Sequence, residues 1–168
     1  MKCLIVDEND TIIGAKSKDE IDFSKDIYRV SGIWVINSKN EVLIAQRSIT
    51  NTNGAGLWGP SAAGTVELGE TYEENAYKEL DEELGITGVT LVREGKIFVK
   101  LQRSYFCEYF SVHLDKPIDE FKLQESEVNA VAWVSFEYLE SDCKNNPQKY
   151  IPSMSRSVQN LKNFINKS

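Results

Sequence analysis

The chain has 168 residues, of which 41% are apolar, and its formal net charge is −7. This length suffices for one well-packed domain and is short for two, so we expect a single domain over residues 1–168. The acidic balance provides no basic field for a nucleic acid polymer, and no apolar stretch approaches the roughly 18 residues of a membrane helix. An anionic small molecule would therefore have to be bound by local cations.

The cysteines are scattered along the chain at Cys3, Cys107 and Cys143, and none forms a C-x-x-C pair. An odd number of distant cysteines argues against a disulfide framework and favours a reducing compartment. We therefore expect a cytoplasmic protein that acts on a small molecule without a membrane or nucleic acid partner. Assembly into a homodimer is left open.

The first part of the chain is predicted to form two strand pairs separated by a charged loop. Short aliphatic runs at 3–6 and 11–15 flank an Asp-Glu-Asn-Asp turn, which predicts that residues 1–27 form a hairpin and a loop. Residues 28–37 and 41–47 flank a second turn. Their apolar content is nearly continuous, which indicates core strands covered on both faces.

A polar loop and then a helix follow these strands. Residues 48–56 are rich in Thr, Asn and Gly, a composition typical of functional loops held by a scaffold. Thr71 with Glu74 three residues later predicts a capping box, and Gly85 is placed for a left-handed helix end. The predicted helix carries one apolar stripe, formed by Ala76, Leu80 and Leu84. We expect this stripe to pack against the core.

The second half of the chain alternates strands, loops and helices. The patterns predict paired strands at 89–99 and 104–114, a loop at 115–126, a strand at 128–135, a short helix at 136–143 and a last helix at 153–167 capped by Ser153. The C-terminal segment is thus assigned to residues 148–168. This order of elements predicts a mixed sheet sandwiched between helices.

The central helix carries a dense acidic face. Glu79, Glu82 and Glu83 stand at i, i+3 and i+4, so their carboxylates share an arc of about 100°. A solvated helix face normally mixes Lys and Arg with Glu, but here Lys78 is the only basic residue between positions 71 and 86. Clustered carboxylates repel one another unless a cation lies among them, and hard oxygen ligands suit Mg²⁺ or Mn²⁺. We therefore predict a Mg²⁺ site, with Mn²⁺ as the alternative.

The whole stretch 64–86 resembles the Nudix box, G-x5-E-x7-R-E-U-x-E-E-x-G-U, where U is a bulky aliphatic residue. The matching positions are Gly64, Glu70, Glu79, Leu80, Glu82, Glu83, Gly85 and Ile86. Lys78 replaces the arginine, which keeps the charge and loses the bidentate fork. The resemblance implies an α/β fold, the Nudix-type α/β/α sandwich with a mixed β-sheet. It also implies a Mg²⁺-dependent hydrolase that cleaves the pyrophosphate bond of a nucleoside diphosphate linked to another moiety X.

The resemblance also implies roles for individual residues. Metal binding falls to Gly64, through its backbone carbonyl, and to Glu79, Glu82 and Glu83. Glu70 either binds metal as well or orients the helix. The catalytic proton acceptor is one of the three clustered glutamates or Glu127, whose alternative role is that of a charged residue at a strand start.

Three further side chains lie outside the box. Arg47, at the end of a strand, resembles the family arginine that meets substrate phosphate, and otherwise is a surface arginine. Trp58 either stacks on the base or sugar of the substrate or is buried and shapes its loop. His113, the one histidine, is expected to be structural or exposed, so a Ser/His or Cys/His triad has no support.

Two other functions are compatible with the same stretch. Residues 56–71 are similar to isopentenyl diphosphate isomerase, where a cysteine and a metal-binding histidine belong at Ala63 and Thr65. Neither side chain can do that chemistry, so the sequence favours hydrolysis over isomerisation. A noncatalytic binding module of the same fold is favoured only by Lys78, because all the glutamates of the box are present.

Overall fold

The computed structural model of the chain describes residues 1–165. Within them the chain forms nine strands and three α-helices: β1 (Lys2–Val6), β2 (Ile12–Ser17), β3 (Ile27–Ile36), β4 (Glu41–Arg47), β5 (Trp58–Gly59), β6 (Ala62–Thr65), α1 (Tyr72–Leu84), β7 (Val92–Lys100), β8 (Ser104–His113), β9 (Val128–Ser135), α2 (Phe136–Asn145) and α3 (Met154–Ile165). Short 3-10 helices at Ile118–Glu120 and Pro147–Lys149 lie in the connections. None of the helices in this part of the chain is long and apolar enough to cross a membrane.

Strand β3 is the centre of the sheet. One of its edges runs parallel to β8 along the whole strand, from Ile27 opposite Ser104 to Ile36 opposite His113. Its other edge pairs antiparallel with β1, then β6, then β4. Outside these strands, β2 pairs with β1, β7 pairs with β8, and β4 carries both β5 and β9. The sheet is therefore mixed, as predicted.

Helices cover both faces of this sheet. Ile33 and Val35 of β3 pack in the core that contains α1, whereas Trp34 and Ile36 pack in the core that contains α2 and α3. Successive residues of a strand point to opposite faces, so a strand buried on both faces is apolar throughout. The predicted α/β/α sandwich is confirmed.

Helix α1 forms as its sequence predicts. The Thr71 hydroxyl accepts a hydrogen bond from the Glu74 N–H, and the Glu74 carboxylate accepts one from the Thr71 N–H, which completes the capping box. Gly85 ends the helix with φ 64°, in the left-handed region. The stripe Ala76, Leu80 and Leu84 is fully buried. Both ends and one face of the helix are thus fixed, which holds the acidic face at a set angle to the sheet.

The turn of the N-terminal hairpin helps to anchor the start of α1. Asp10, a turn residue with φ 62°, accepts a 2.7 Å hydrogen bond from the Arg29 Nε and one of 3.0 Å from the hydroxyl of Tyr72, the first residue of α1. Lys96 of β7 makes an ion pair with the same carboxylate. Arg29 also lies 5.0 Å from the centre of the Tyr72 ring. The hairpin, the sheet and the helix are therefore joined at one buried carboxylate.

Several features differ from the sequence prediction. The strand predicted at 89–99 spans Val92–Lys100, and the predicted loop at 115–126 contains the 3-10 helix Ile118–Glu120. Strands β5 and β6 lie between the predicted loop and the predicted helix, where the sequence predicted no strand. Helix α2 extends to Asn145, two residues further than predicted. Helix α3 begins at Met154, directly after Ser153, and the predicted helical residues 166 and 167 lie outside the described residues.

Candidate functional site

The acidic face of α1 lies against strand β6. A Cβ atom added to Gly64 would be 2.0 Å from both the Cδ and the Oε1 of Glu79, so only glycine leaves room for this carboxylate. The Ala63 N–H donates a 3.2 Å hydrogen bond to the Oε2 of Glu83. Glu82 is exposed. Two of the three glutamates therefore pack against the backbone of β6, and the third lies at the solvent edge.

Lys78 binds two other carboxylates. Its Nζ donates to the Oε1 of Glu67 at 2.6 Å and to the Oε1 of Glu70 at 2.7 Å. The Oε2 of Glu70 accepts hydrogen bonds of 3.0 Å from the Glu67 N–H and from the Asn75 amide. Burial raises the pKa of Glu70, but these hydrogen bonds outweigh it and leave the pKa below its usual value. Since both oxygens of Glu70 are bound by protein donors, its geometry is that of an orienting residue.

A cleft next to Glu83 brings together residues from four parts of the fold. It is lined by Arg47 at the end of β4, Ala63 of β6, Glu83 of α1 and Glu127 just before β9. The loop at 48–56 contacts two of these side chains: Arg47 Nε donates to the Asn53 carbonyl at 2.8 Å, and Asn51 donates to the Oε2 of Glu127 at 3.2 Å. The structure therefore places the predicted phosphate-binding arginine and the predicted outer glutamate around the same opening.

The two inner glutamates are electrostatically strained. Burial raises the pKa of Glu79 to about 7; the nearby charge of Lys78 opposes this, and that of Glu82 adds to it. Burial, followed by the charges of Glu79 and Glu127, raises the pKa of Glu83 to about 8, although the Ala63 N–H and Arg47 lower it. Desolvated carboxylates that repel each other in this way are relieved by a bound cation.

The donor atoms fit a hard divalent cation. Within residues 1–165, no group of three or more Asp, Glu, His or Cys side chains is close enough together to hold a metal ion by itself. Mg²⁺ commonly keeps several of its waters and takes only one or two carboxylates from the protein, so it does not need such a group. Glu79 and Glu83, with Glu82 at the edge and the Gly64 backbone against Glu79, provide oxygen ligands of the required kind.

Comparison with known proteins identifies the family. A family model of the NUDIX domain matches residues 27–155. The chain belongs to the Nudix family. An uncharacterised Nudix hydrolase of Pseudomonas aeruginosa is 29% identical to it over 161 residues, which are 95% of this chain and 90% of the relative. The predicted class, Nudix hydrolase, is confirmed by these matches.

The relatives include isomerases as well as Nudix hydrolases. Isopentenyl-diphosphate Delta-isomerase 2 of Photorhabdus laumondii is 27% identical over 164 residues, 94% of this chain and 90% of the relative. The crystal structure of a Deinococcus radiodurans protein, DR0079, superposes with a TM-score of 0.83 at 19% identity and covers 95% of this chain and 98% of that one. That likeness shows that the two chains share one fold over nearly their whole length.

Trp58 and His113 are not among the residues that line the cleft. Trp58 is half-buried and packs against the core on the α2 and α3 face of the sheet, and its carbonyl accepts a 2.9 Å hydrogen bond from the Ile151 N–H. Of the two roles that the sequence allowed for Trp58, this position favours shaping its loop over stacking on substrate. His113 ends β8 and is exposed.

Sequence reasoning missed one residue of the Nudix site. Asn75 is fully buried in α1, and its amide donates to Glu79 as well as to Glu70. The Nudix box leaves this position unspecified. Asparagine is a poor residue for a helix interior, so its place four residues before Glu79 was the available signal.

Proposed function

We propose that the chain is a divalent-metal-dependent Nudix hydrolase that cleaves the pyrophosphate bond of a nucleoside diphosphate linked to another moiety. One observation carries this proposal: Glu79 and Glu83 are desolvated side by side against β6, next to a cleft that also holds Arg47. Two half-buried carboxylates that repel each other destabilise the fold unless a cation lies between them. An adjacent arginine suits an anionic substrate.

The residues then take separate roles. Glu79, Glu82 and Glu83, with the backbone carbonyl of Gly64, would hold Mg²⁺, or Mn²⁺ in its place. When bound, the ion neutralises diphosphate oxygens and makes a water molecule more acidic. Glu70 is assigned to orientation, because Lys78, Asn75 and the Glu67 N–H occupy both of its oxygens.

The cleft supplies the groups for phosphate binding and proton transfer. Arg47 can turn its guanidinium to a phosphate, since its one side-chain hydrogen bond to residues 1–165 is made by Nε, to the Asn53 carbonyl. Glu127 is the proton acceptor that the arrangement favours, because it is exposed at the cleft and held by Asn51 alone among the described side chains. Glu79 and Glu83 would be engaged with the cation and are less suited to that role.

Isomerisation is the second candidate function, because isomerases are among the relatives. It needs an acid on one face of a carbon–carbon double bond and a base on the other. Ala63 has no proton to give. The Ser61 hydroxyl is fully buried and bound to the Leu43 carbonyl at 2.6 Å and the Val35 N–H at 2.8 Å. Cys107 is buried in the core on the opposite face of the sheet. These positions support hydrolysis.

A substrate screen tests the proposal. The purified protein is incubated with Mg²⁺ and nucleoside triphosphates, sugar nucleotides, dinucleoside polyphosphates or NADH, and release of phosphate or nucleotide is measured. We expect Mg²⁺-dependent cleavage of at least one diphosphate-linked nucleotide and no turnover in EDTA. Turnover that persists in EDTA would contradict the proposed site.

A further inference from the structure

A chain of side-chain hydrogen bonds runs between α1 and the end of β6 toward the acidic face of the helix. It begins at Lys78, whose Nζ binds the Oε1 of Glu70 at 2.7 Å. The other oxygen of Glu70 accepts a 3.0 Å hydrogen bond from the side-chain amide of Asn75. The same amide nitrogen lies 3.3 Å from the Oε1 of Glu79. Lys78 is therefore linked to Glu79 through two intermediate side chains.

The orientation of Asn75 is determined by its surroundings. Its nitrogen faces three acceptors, the oxygens of Glu70 and Glu79 and the Thr65 carbonyl at 3.3 Å. A flipped amide would place an oxygen against these three oxygens, so the nitrogen must point toward them. The amide oxygen of Asn75 is buried and accepts no hydrogen bond within the described residues. A buried acceptor without a donor is costly, so packing alone does not account for an amide here.

The Glu79 carboxylate is confined from two sides. The backbone of Gly64 lies so close that a Cβ there would overlap Cδ and Oε1. Within residues 1–165, Asn75 is the one hydrogen-bond donor to this carboxylate. A glutamate side chain has several rotamers. The contact with the Gly64 backbone and the hydrogen bond from Asn75 together restrict the Glu79 carboxylate to one position. Removal of the donor would leave only the contact with Gly64.

We propose that Asn75 is a positioning residue that orients the Glu79 carboxylate toward the cation. Glu70 fixes the Asn75 amide by accepting a hydrogen bond from it, and Lys78 in turn fixes Glu70. This inference rests on the proposed function, because it takes Glu79 to be a metal ligand. Side chains that orient a ligand typically account for a 10- to 100-fold change in metal affinity when they are removed. Asn75 acts through Glu79 and does not touch the substrate.

The test measures Mn²⁺ binding to the substrate-free protein by electron paramagnetic resonance of the unbound ion. Asn75→Leu keeps the approximate volume and removes the donor, and Asn75→Ala removes the donor without any risk of overpacking. We expect each to weaken Mn²⁺ binding about tenfold. Glu73→Gln, an exposed glutamate on the same helix, is the matched control and should bind within about twofold of the wild type.

A double-mutant comparison separates positioning from general disruption. In a Glu79→Gln background, Asn75→Leu should weaken binding less than about twofold, because the carboxylate that it positions is gone. If Glu79→Gln alone removes measurable Mn²⁺ binding, Asn75→Leu is instead combined with Glu82→Gln. In that background Asn75→Leu should still weaken Mn²⁺ binding about tenfold, because the Glu79 carboxylate is present. The inference would be overturned if Asn75→Leu weakened Mn²⁺ binding equally with and without the Glu79 carboxylate. It would also be overturned if Asn75→Leu did not weaken binding in the Glu82→Gln background.

The remaining outcomes distinguish the inference from the proposed function. Wild-type protein that binds Mn²⁺ while both Asn75 variants bind equally well overturns the role of Asn75 alone. Wild-type protein that binds no Mn²⁺ overturns the proposed metal site and the inference together. Thermal unfolding in EDTA confirms that each variant is folded before it is titrated with the ion.

Discussion

Replacement of Glu83 by glutamine should stabilise the metal-free protein and abolish most of its activity. Glutamine keeps an oxygen that can accept the Ala63 N–H, so the shape of the site is preserved. The carboxylate that it replaces has a pKa raised from 4.5 to about 8 by burial and then by Glu79. The substitution thus removes a charge that the fold tolerates poorly without a cation.

The sign and size of the stability effect follow from this raised pKa. A carboxyl group whose pKa is higher in the folded than in the unfolded state destabilises the fold increasingly as pH rises from 4.5 to about 8. Glutamine does not ionise, so the variant escapes this loss. Since each pKa unit corresponds to about 1.4 kcal/mol and the side chain is partly solvated, we expect a differential on the order of 2 kcal/mol between pH 5 and pH 8.

The assay is denaturant unfolding in EDTA at pH 5 and pH 8, together with Mg²⁺-dependent turnover of the best substrate. We expect the free energy of unfolding of Glu83→Gln to exceed that of the wild type by more at pH 8 than at pH 5. Turnover should fall more than tenfold, about 1.4 kcal/mol of barrier. Asp81→Asn, which removes an exposed charge from the same helix, should change neither quantity appreciably. A pH-independent stability difference, or a smaller loss of turnover, would refute this reasoning.

Three further changes probe the same site. Lys78→Arg should leave turnover equal or higher, because a guanidinium can serve both Glu67 and Glu70 with separate N–H groups; a large loss would show a role specific to lysine. Gly64→Ala should lower turnover about tenfold or more, as its Cβ would displace the Glu79 carboxylate; turnover equal to that of the wild type would contradict the packing. Isopentenyl diphosphate incubated with Mg²⁺ should stay unchanged by NMR, because Ala63 supplies no proton; dimethylallyl diphosphate formed at enzymatic rates would favour the isomerase.

Helix α1 could be predicted closely because its signals are local. The capping pair Thr71 and Glu74, the terminal Gly85 and the apolar stripe all lie within one short segment, and each depends on residues three or four positions apart. The burial of β3 on both faces of the sheet was predictable for the same reason. A strand whose residues are apolar without interruption is expected to be covered on both faces, and this pattern is visible within the strand itself.

The strand conformation of β6 and the position of Trp58 both depend on pairing with distant strands. The segment 62–65 is a strand because β3 pairs with it, and its own residues carry no strong strand preference. The face on which Trp58 lies is set by its pairing with Gln46 of β4. Sequence alone gives neither register, so it could not place Trp58 outside the cleft.

The internal links of the candidate site were also inaccessible to sequence reasoning. The spacing predicted that the glutamates share one face of the helix. It did not predict that Lys78 binds Glu67 and Glu70, or that Asn75 donates a hydrogen bond to Glu79. Arg47 and Glu127 lie close together because β4 pairs with β9, and about 80 positions of the sequence separate the paired ends of these strands. Roles of individual residues therefore needed the fold.

The most direct test of the central claim is ³¹P NMR of the products formed in isotopically labelled water from the best substrate of the screen. With Mg²⁺ present, we predict two phosphorylated products, one of which carries the heavy oxygen, because water attacks phosphorus and breaks the P–O–P bond. In EDTA the substrate should remain intact. An unlabelled product pair, or cleavage that proceeds equally in EDTA, would contradict a metal-dependent pyrophosphohydrolase built on Glu79 and Glu83.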